Sequence, residues 1–195
     1  IGLSDSRLDN LRRLNDAGLT VPLMMLRQPM MSEIEEVVLF VDTSLVSEID
    51  VIRKLSIASK QAGRIHKIIL MVETGDLREG FLPDELINSK VMDKILKLDG
   101  LEIVGIGTNV ACLEGAKPTP DNLKILVDLA REIKSKHNFE IKIISGGNSS
   151  ALKLVEQEII PEEINQLRLG EGILLGQETL DFNPIAGTFQ DAFVL

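Results

Sequence analysis

The chain has 195 residues, 44% of them hydrophobic, which is enough to bury roughly 70% of its unfolded surface in one globular unit. Its formal charge of −9, with acidic and basic residues interspersed along helix faces, argues against nucleic acid or an anionic membrane as partner, because both need clustered lysine and arginine. One cysteine excludes an internal disulfide framework and suits a reducing cytoplasm, no apolar run approaches the ~18 residues of a membrane span, and no signal peptide opens the chain. The chain opens on Ile1 and stops at Phe193-Val194-Leu195 inside a strand-like run, so it reads as a piece of a longer protein.

Apolar positions alternate between the helix and strand periods along the chain. Ser4 or Asp5 can cap a helix that carries Leu8, Leu11 and Leu14 on one face and stops at Gly18, and a short apolar strand from Val21 to Leu26 follows. Ser32 caps a helix through Val38, Val41 to Val46 is a strand, and Ser47-Glu48 starts a helix through Ala62 that ends at Gly63. Lys67 to Glu73 is a strand of largely apolar character, as expected where both faces are buried, and Pro83 starts a helix to about Leu98. Leu101 to Gly107 is a strand, and Thr119-Pro120 opens a long helix to about His137. Glu140 to Ile144 is a strand, Ser149 to Gln157 a helix, and Gln166 to Leu175 the last strand.

Repeated βα units of ~30 residues make a parallel sheet, either open and doubly wound or closed as an eight-stranded barrel. A dinucleotide-binding sheet would carry G-x-G-x-x-G after its first strand. Here the glycine-rich breaks come late, where a barrel keeps its phosphate site. The fold class expected is therefore α/β, a TIM-type (β/α)8 barrel, incomplete at about six of eight strands, with the first two strands upstream of Ile1. The late breaks are SGGNSS, Ser145 to Ser150, and LRLGEG from Leu167. Serine hydroxyls, glycine amides and a helix N-terminus all favour a dianion, so these segments point to a phosphate-bearing ligand. Gly146, Gly147 and Gly170 would equally serve as ordinary strand-to-helix turns.

In a parallel barrel, chemistry gathers at the carboxyl ends of the strands. Arg168 is the sharpest candidate there: a lone charge between Leu167 and Leu169, it is expected to point its guanidinium into the barrel mouth. Pairing with Glu171 or a helix carboxylate is the structural alternative. Cys112 follows a strand end and is most simply a small buried hydrophobe. His66 precedes a strand and His137 ends a helix, positions that suit surface or capping roles, and no metal-ligand motif appears.

At this point the residues carry a resemblance. VETGDLREG (Val72 to Gly80), GIGTN (Gly105 to Asn109), SGGNSSAL (Ser145 to Leu152) and LRLGEGILLG (Leu167 to Gly176) resemble, in order and spacing, the pyridoxal-phosphate barrel of the alanine racemase fold. Ser4 to Leu11 and Leu23 to Pro29 are similar to segments of its alanine/ornithine racemase branch. The resemblance implies a cofactor, pyridoxal 5'-phosphate, whose phosphate is held around Ser145, Gly147, Asn148 and Ser149 and at Gly170 and Glu171. It places the arginine that meets the pyridine nitrogen at Arg168, and the arginine that meets the cofactor phenolate or substrate carboxylate at Arg78. Asn109 also falls in the cofactor site, where bacterial alanine racemases have a histidine, and Met71 stands where many have a modified lysine; both favour the ornithine-like branch. A guanidinium keeps its proton, so the ring nitrogen stays unprotonated, which suits racemisation over transamination.

The family joins its cofactor to a lysine at the end of the first barrel strand, and no lysine of this chain sits at such a place. Lys67 and Lys142 open their strands and face the structural end of the barrel, so the Schiff-base lysine is expected upstream of Ile1. The tyrosine that family members draw from a partner subunit's β-domain is also missing, since the chain has no tyrosine. Residues 1–182 are thus expected to form a partial cofactor-binding barrel. Residues 183–195 would lead into a carboxyl-terminal β-domain, with Asp191 to Leu195 as its first strand. The resemblance implies an amino-acid racemase of alanine or ornithine type, acting on a free amino acid as a cytoplasmic homodimer. A non-catalytic pyridoxal-phosphate homeostasis protein of the same barrel is the alternative. Glu73 and Asp76 are candidates for the distal amine of a basic substrate, or for orienting Arg78.

Overall fold

The structure, a computed structural model, describes residues 1–88, 90–111 and 115–192. Six parallel strands lie side by side in chain order: β1 (Leu3–Asp5), β2 (Leu23–Met25), β3 (Thr43–Val46), β4 (His66–Met71), β5 (Leu101–Gly107) and β6 (Ile143–Ser145). Between them run α1 (Leu8–Asp16), α2 (Ile34–Phe40), α3 (Ile49–Gln61), α4 (Pro83–Ile87), α5 (Val91–Ile95) and α6 (Pro120–His137). A 3-10 turn (Ser149–Ala151), α7 (Leu152–Glu156) and α8 (Glu171–Leu174) follow β6. Sequential order with every neighbour parallel is the barrel arrangement, and the sheet curls into half of one.

The apolar run of β4 shows why. Ile68, Leu70 and Val72 join the large core beneath the helices, with Val51, Ile52 and Leu55 of α3. Ile69 and Met71 point the other way, into a second cluster with Leu45 of β3 and Val104 of β5 on the concave face. Both faces of the strand are buried, as its composition predicts. The long helix α6 begins where Thr119-Pro120 predicts: Thr119 Oγ1 accepts the Asn122 N–H and Asn122 Oδ1 accepts the Thr119 N–H, a reciprocal cap, with Pro120 at the first helical position.

Three elements differ from expectation. Leu3–Asp5 is a strand, paired from Leu3 to Leu23 and from Asp5 to Met25, where the pattern predicts only a helix cap, so one strand expected upstream of Ile1 lies within the chain. Asp5 nonetheless serves the start of α1, accepting the Arg7 N–H at 2.7 Å and the Asn10 amide at 2.9 Å. The helix expected from Pro83 to Leu98 is two short ones: Asn88 ends α4, and its amide turns back to Asp84. The Lys136 ammonium covers the freed Ile87 carbonyl. The strand expected from Gln166 to Leu175 is extended only at its start. Gln166 bridges in parallel to Ser145 and the Arg168 N–H reaches the Gly147 carbonyl at 2.9 Å, after which the backbone turns at Gly170 into α8. No helix among the described residues is long and apolar enough to cross a membrane.

Candidate functional site

The carboxyl ends of β5 and β6 meet at Arg168. Its side chain is 8% exposed and crosses the mouth of the half-barrel. One guanidinium nitrogen donates to Ser145 Oγ at the end of β6; the other donates to the Thr108 carbonyl at 2.6 Å and to Asn109 Oδ1 at 2.7 Å, just past β5. All three acceptors are neutral, and Glu171 instead takes the Gln177 amide at 3.3 Å, so the ion-pair alternative for Arg168 does not hold with that residue. Burial pushes the Arg168 pKa down to about 10, with the Glu79 charge opposing, which leaves a full cation at neutral pH. A guanidinium has five N–H donors and three engage described residues, so donors remain for a ring nitrogen.

Four residues past Ser145, a second arrangement forms around Ser149, which is 3% exposed. Its Oγ accepts the Gly170 N–H at 3.3 Å and the Gly172 N–H at 3.2 Å, so a hydroxyl and two amides from opposite sides converge. Gly147 has φ +112°, a conformation a side chain would strain, and it turns the chain from β6 toward this point. Asn148 serves the turn itself: Oδ1 accepts the Ser150 N–H at 2.8 Å and Nδ2 donates to the Val110 carbonyl at 3.1 Å. The buried Glu178 carboxylate accepts N–H groups of Leu180, Asp181 and Asn183 and fixes the segment after α8; the sequence pattern does not single it out.

The loop after β4 has its own organiser. Glu73 accepts backbone N–H groups of Gly75 and, at 3.2 Å, Arg78. Burial alone would raise its carboxyl pKa, but N–H groups of Leu77, Gly75, Arg78 and Asp76 together hold it below its ordinary value. Arg78 stands exposed on that loop. Asp76 Oδ1 is buried without a hydrogen-bond partner among the described residues. Sequence reasoning missed Glu79, whose Oε1 accepts the Asn109 amide at 2.8 Å, and the buried Thr74–Thr108 hydroxyl pair at 2.8 Å that joins the two strand ends. Cys112 lies outside the described residues, as does the end of the segment Asp191 to Leu195.

The family described as alanine racemase, N-terminal domain, matches residues 2–177. The chain belongs to this family. Ornithine racemase of Acetoanaerobium sticklandii is 42% identical over 192 residues, covering 98% of this chain and 54% of the relative. Lysine racemase of Thermotoga maritima is 42% identical over 193 residues, covering 99% and 53%. The chain thus spans about half the length of the curated relatives it matches. The solved alanine racemase of Clostridium difficile 630 superposes with a TM-score of 0.72 at 21% identity, over 97% of this chain and 47% of that one, which shows the shared fold.

Members of the alanine racemase family depend on pyridoxal 5'-phosphate, and the residues fit that group. The Ser149 hydroxyl and the Gly170 and Gly172 amides would together donate to a dianion, no carboxylate of the described residues shares that hydrogen-bond set, and the buried Arg168 offers a permanent donor beyond. Lys67, second in β4, and Lys142, next to β6 and paired to Glu102 at 2.9 Å, stand at the amino ends of their strands, away from this mouth. Among the described residues no group of three or more His, Cys, Asp or Glu could hold a metal ion.

Proposed function

We infer that the whole protein is a pyridoxal-phosphate-dependent racemase of free amino acids, with ornithine and lysine as the favoured substrate class. The observation that carries this reading is a buried arginine held by neutral acceptors beside a serine-and-amide cradle. The names of the relatives at 42% identity support a racemase over a non-catalytic carrier.

When bound, the cofactor supplies the electron sink that makes an amino acid's α-proton acidic. Ser149 and the Gly170 and Gly172 amides hold the phosphate. Arg168 would donate to the ring nitrogen while keeping its own proton, a setting that suits racemisation over transamination. Arg78, on the loop that Glu73 shapes, meets the substrate carboxylate or the cofactor phenolate. Glu73 has its oxygens engaged by backbone amides and is an organiser of Arg78's loop; Asp76 Oδ1, buried without a hydrogen-bond partner among the described residues, is the better match to a distal ammonium.

The same reading carries a cytoplasmic homodimer. Residues 1–182 form its barrel portion and residues 183–195 lead toward a β-domain. Exposed Ile173 and Leu174, beside the cradle, are an apolar surface that a second subunit would cover. The test is a racemisation assay on the whole protein with ornithine, lysine and alanine. Turnover of the two diamino acids supports the reading, and binding of the cofactor without turnover of any amino acid would return the carrier alternative.

A further inference from the structure

Arg168 is a buried cation, and among the described residues the groups that accept its hydrogen bonds are all neutral. An isolated charge in such a place is costly, so a counter-charge is required nearby. The network supplies one at one remove. Asn109 gives its Oδ1 to Arg168 at 2.7 Å and its Nδ2 to Glu79 Oε1 at 2.8 Å. With a donor-only group at one end and an acceptor-only group at the other, the amide has a single satisfied orientation; flipped, it would face N–H to N–H and oxygen to oxygen. The amide dipole is therefore aligned by both charges.

Glu79 is also held in place by its backbone. The next residue, Gly80, has φ +120°, and a Cβ there would sit 2.6 Å from the Val72 carbonyl carbon. That close approach lets Phe81 bond back to the end of β4, its N–H to the Met71 carbonyl at 2.8 Å and its carbonyl to the Glu73 N–H at 3.0 Å. Glu79 on the loop after β4, Asn109 just past β5 and Arg168 past the Gln166 bridge to β6 are thus tied to one another.

We propose that Glu79 is a positioning residue: its carboxylate, acting through the Asn109 amide, orients and counterbalances the Arg168 guanidinium that meets the cofactor ring nitrogen. This rests on the cofactor assignment made above. Without the Glu79 charge, Arg168 loses its counter-charge and the Asn109 amide the pull that holds its Oδ1 on the guanidinium.

The test is equilibrium titration of the whole apoprotein with pyridoxal 5'-phosphate and with its analogue in which the ring nitrogen is replaced by carbon. Glu79→Gln keeps an acceptor for Asn109 and removes the charge, whereas Glu79→Leu removes both. Pyridoxal phosphate should bind about tenfold more weakly to the Gln variant and more weakly still to the Leu variant. The carbon analogue, which gives Arg168 nothing to meet, should bind all three proteins within about twofold; it also reports that the variants are folded. Equal losses for both ligands would make Glu79 an ordinary structural residue and overturn the proposal, as would unchanged binding of pyridoxal phosphate. Failure of the unaltered protein to bind either ligand would instead overturn the cofactor assignment on which it stands.

Discussion

Ser149 Oγ lies 3.2 Å from the Gly172 N–H and 3.3 Å from that of Gly170, so a side chain from the end of β6 and the backbone at the start of α8 already point at one place. Replacing this serine by aspartate keeps an acceptor for both amides but sets a carboxylate where a phosphate belongs. Like charges in so buried a place cost several kcal/mol. Ser149→Asp should retain its fold by circular dichroism and bind pyridoxal phosphate at least ~100-fold more weakly, whereas Ser149→Ala should lose about tenfold. Titration followed by the cofactor's visible absorbance decides it; an unchanged affinity in the aspartate variant removes the phosphate from this turn.

Arg168→Lys tests whether the guanidinium's shape matters. Two nitrogens of the arginine serve three acceptors on three residues, and a lysine ammonium cannot span them. Leaving buried acceptors unpaired costs about 1–3 kcal/mol, so the chemical-denaturation midpoint should fall. Racemase turnover should fall by at least ~100-fold, the size attached to losing one preorganised electrostatic partner. Turnover within a few-fold of the original would make Arg168 a charge anchor only.

The route from sequence to site was open in some places and closed in others for physical reasons. The two-sided burial of β4 is written in consecutive apolar residues, Ile68 to Val72, and the α6 cap in Thr119-Pro120-Asp121-Asn122, because both effects are local. Leu3–Asp5 is not legible as a strand because three residues carry too little period, and its strand state comes from pairing with β2. LRLGEGILLG reads as a strand on composition, but the turn at Gly170 and the following four-residue helix depend on meeting Ser149. Arg168's place in the mouth was legible from its isolation among leucines. Glu79 was not: its partner Asn109 is thirty residues away, and nothing in REG distinguishes a site carboxylate from a solvated one.

Asp76→Asn addresses substrate choice. The Oδ1 of Asp76 is buried with no hydrogen-bond partner among the described residues, a state that a substrate ammonium would relieve. Removing the charge should raise KM for ornithine and lysine by about ten- to a hundredfold, the range of a charge-assisted hydrogen bond, and leave KM for alanine unchanged. The three KM values measured on one variant separate this from a general loss of fold. A parallel rise for alanine places Asp76 in the scaffold.

His66 is buried, contrary to a surface or capping role, with Nε2 2.9 Å from Ser44 Oγ, and this gives the protein a pH limit away from its site. Burial pushes its pKa down to about 4, against the opposing effects of a Val41 backbone hydrogen bond and the Asp42 charge. A free histidine titrates near 6.5. Between those two values the unfolded chain takes up a proton that the folded one refuses, so stability falls as pH falls. The effect is absent above about 6.5, grows as the medium acidifies, and levels off below about 4, where both states are protonated. A shift of this size corresponds to about 3 kcal/mol. His66→Gln keeps a polar group in reach of Ser44 and cannot titrate. Urea unfolding at a series of pH values should therefore show a steeper loss of stability between 6.5 and 4 in the original protein than in the variant. Parallel curves between 6.5 and 4 would remove His66 from the acid response; carboxylates such as Glu73, whose pKa is depressed by backbone amides, lose their stabilisation only at lower pH.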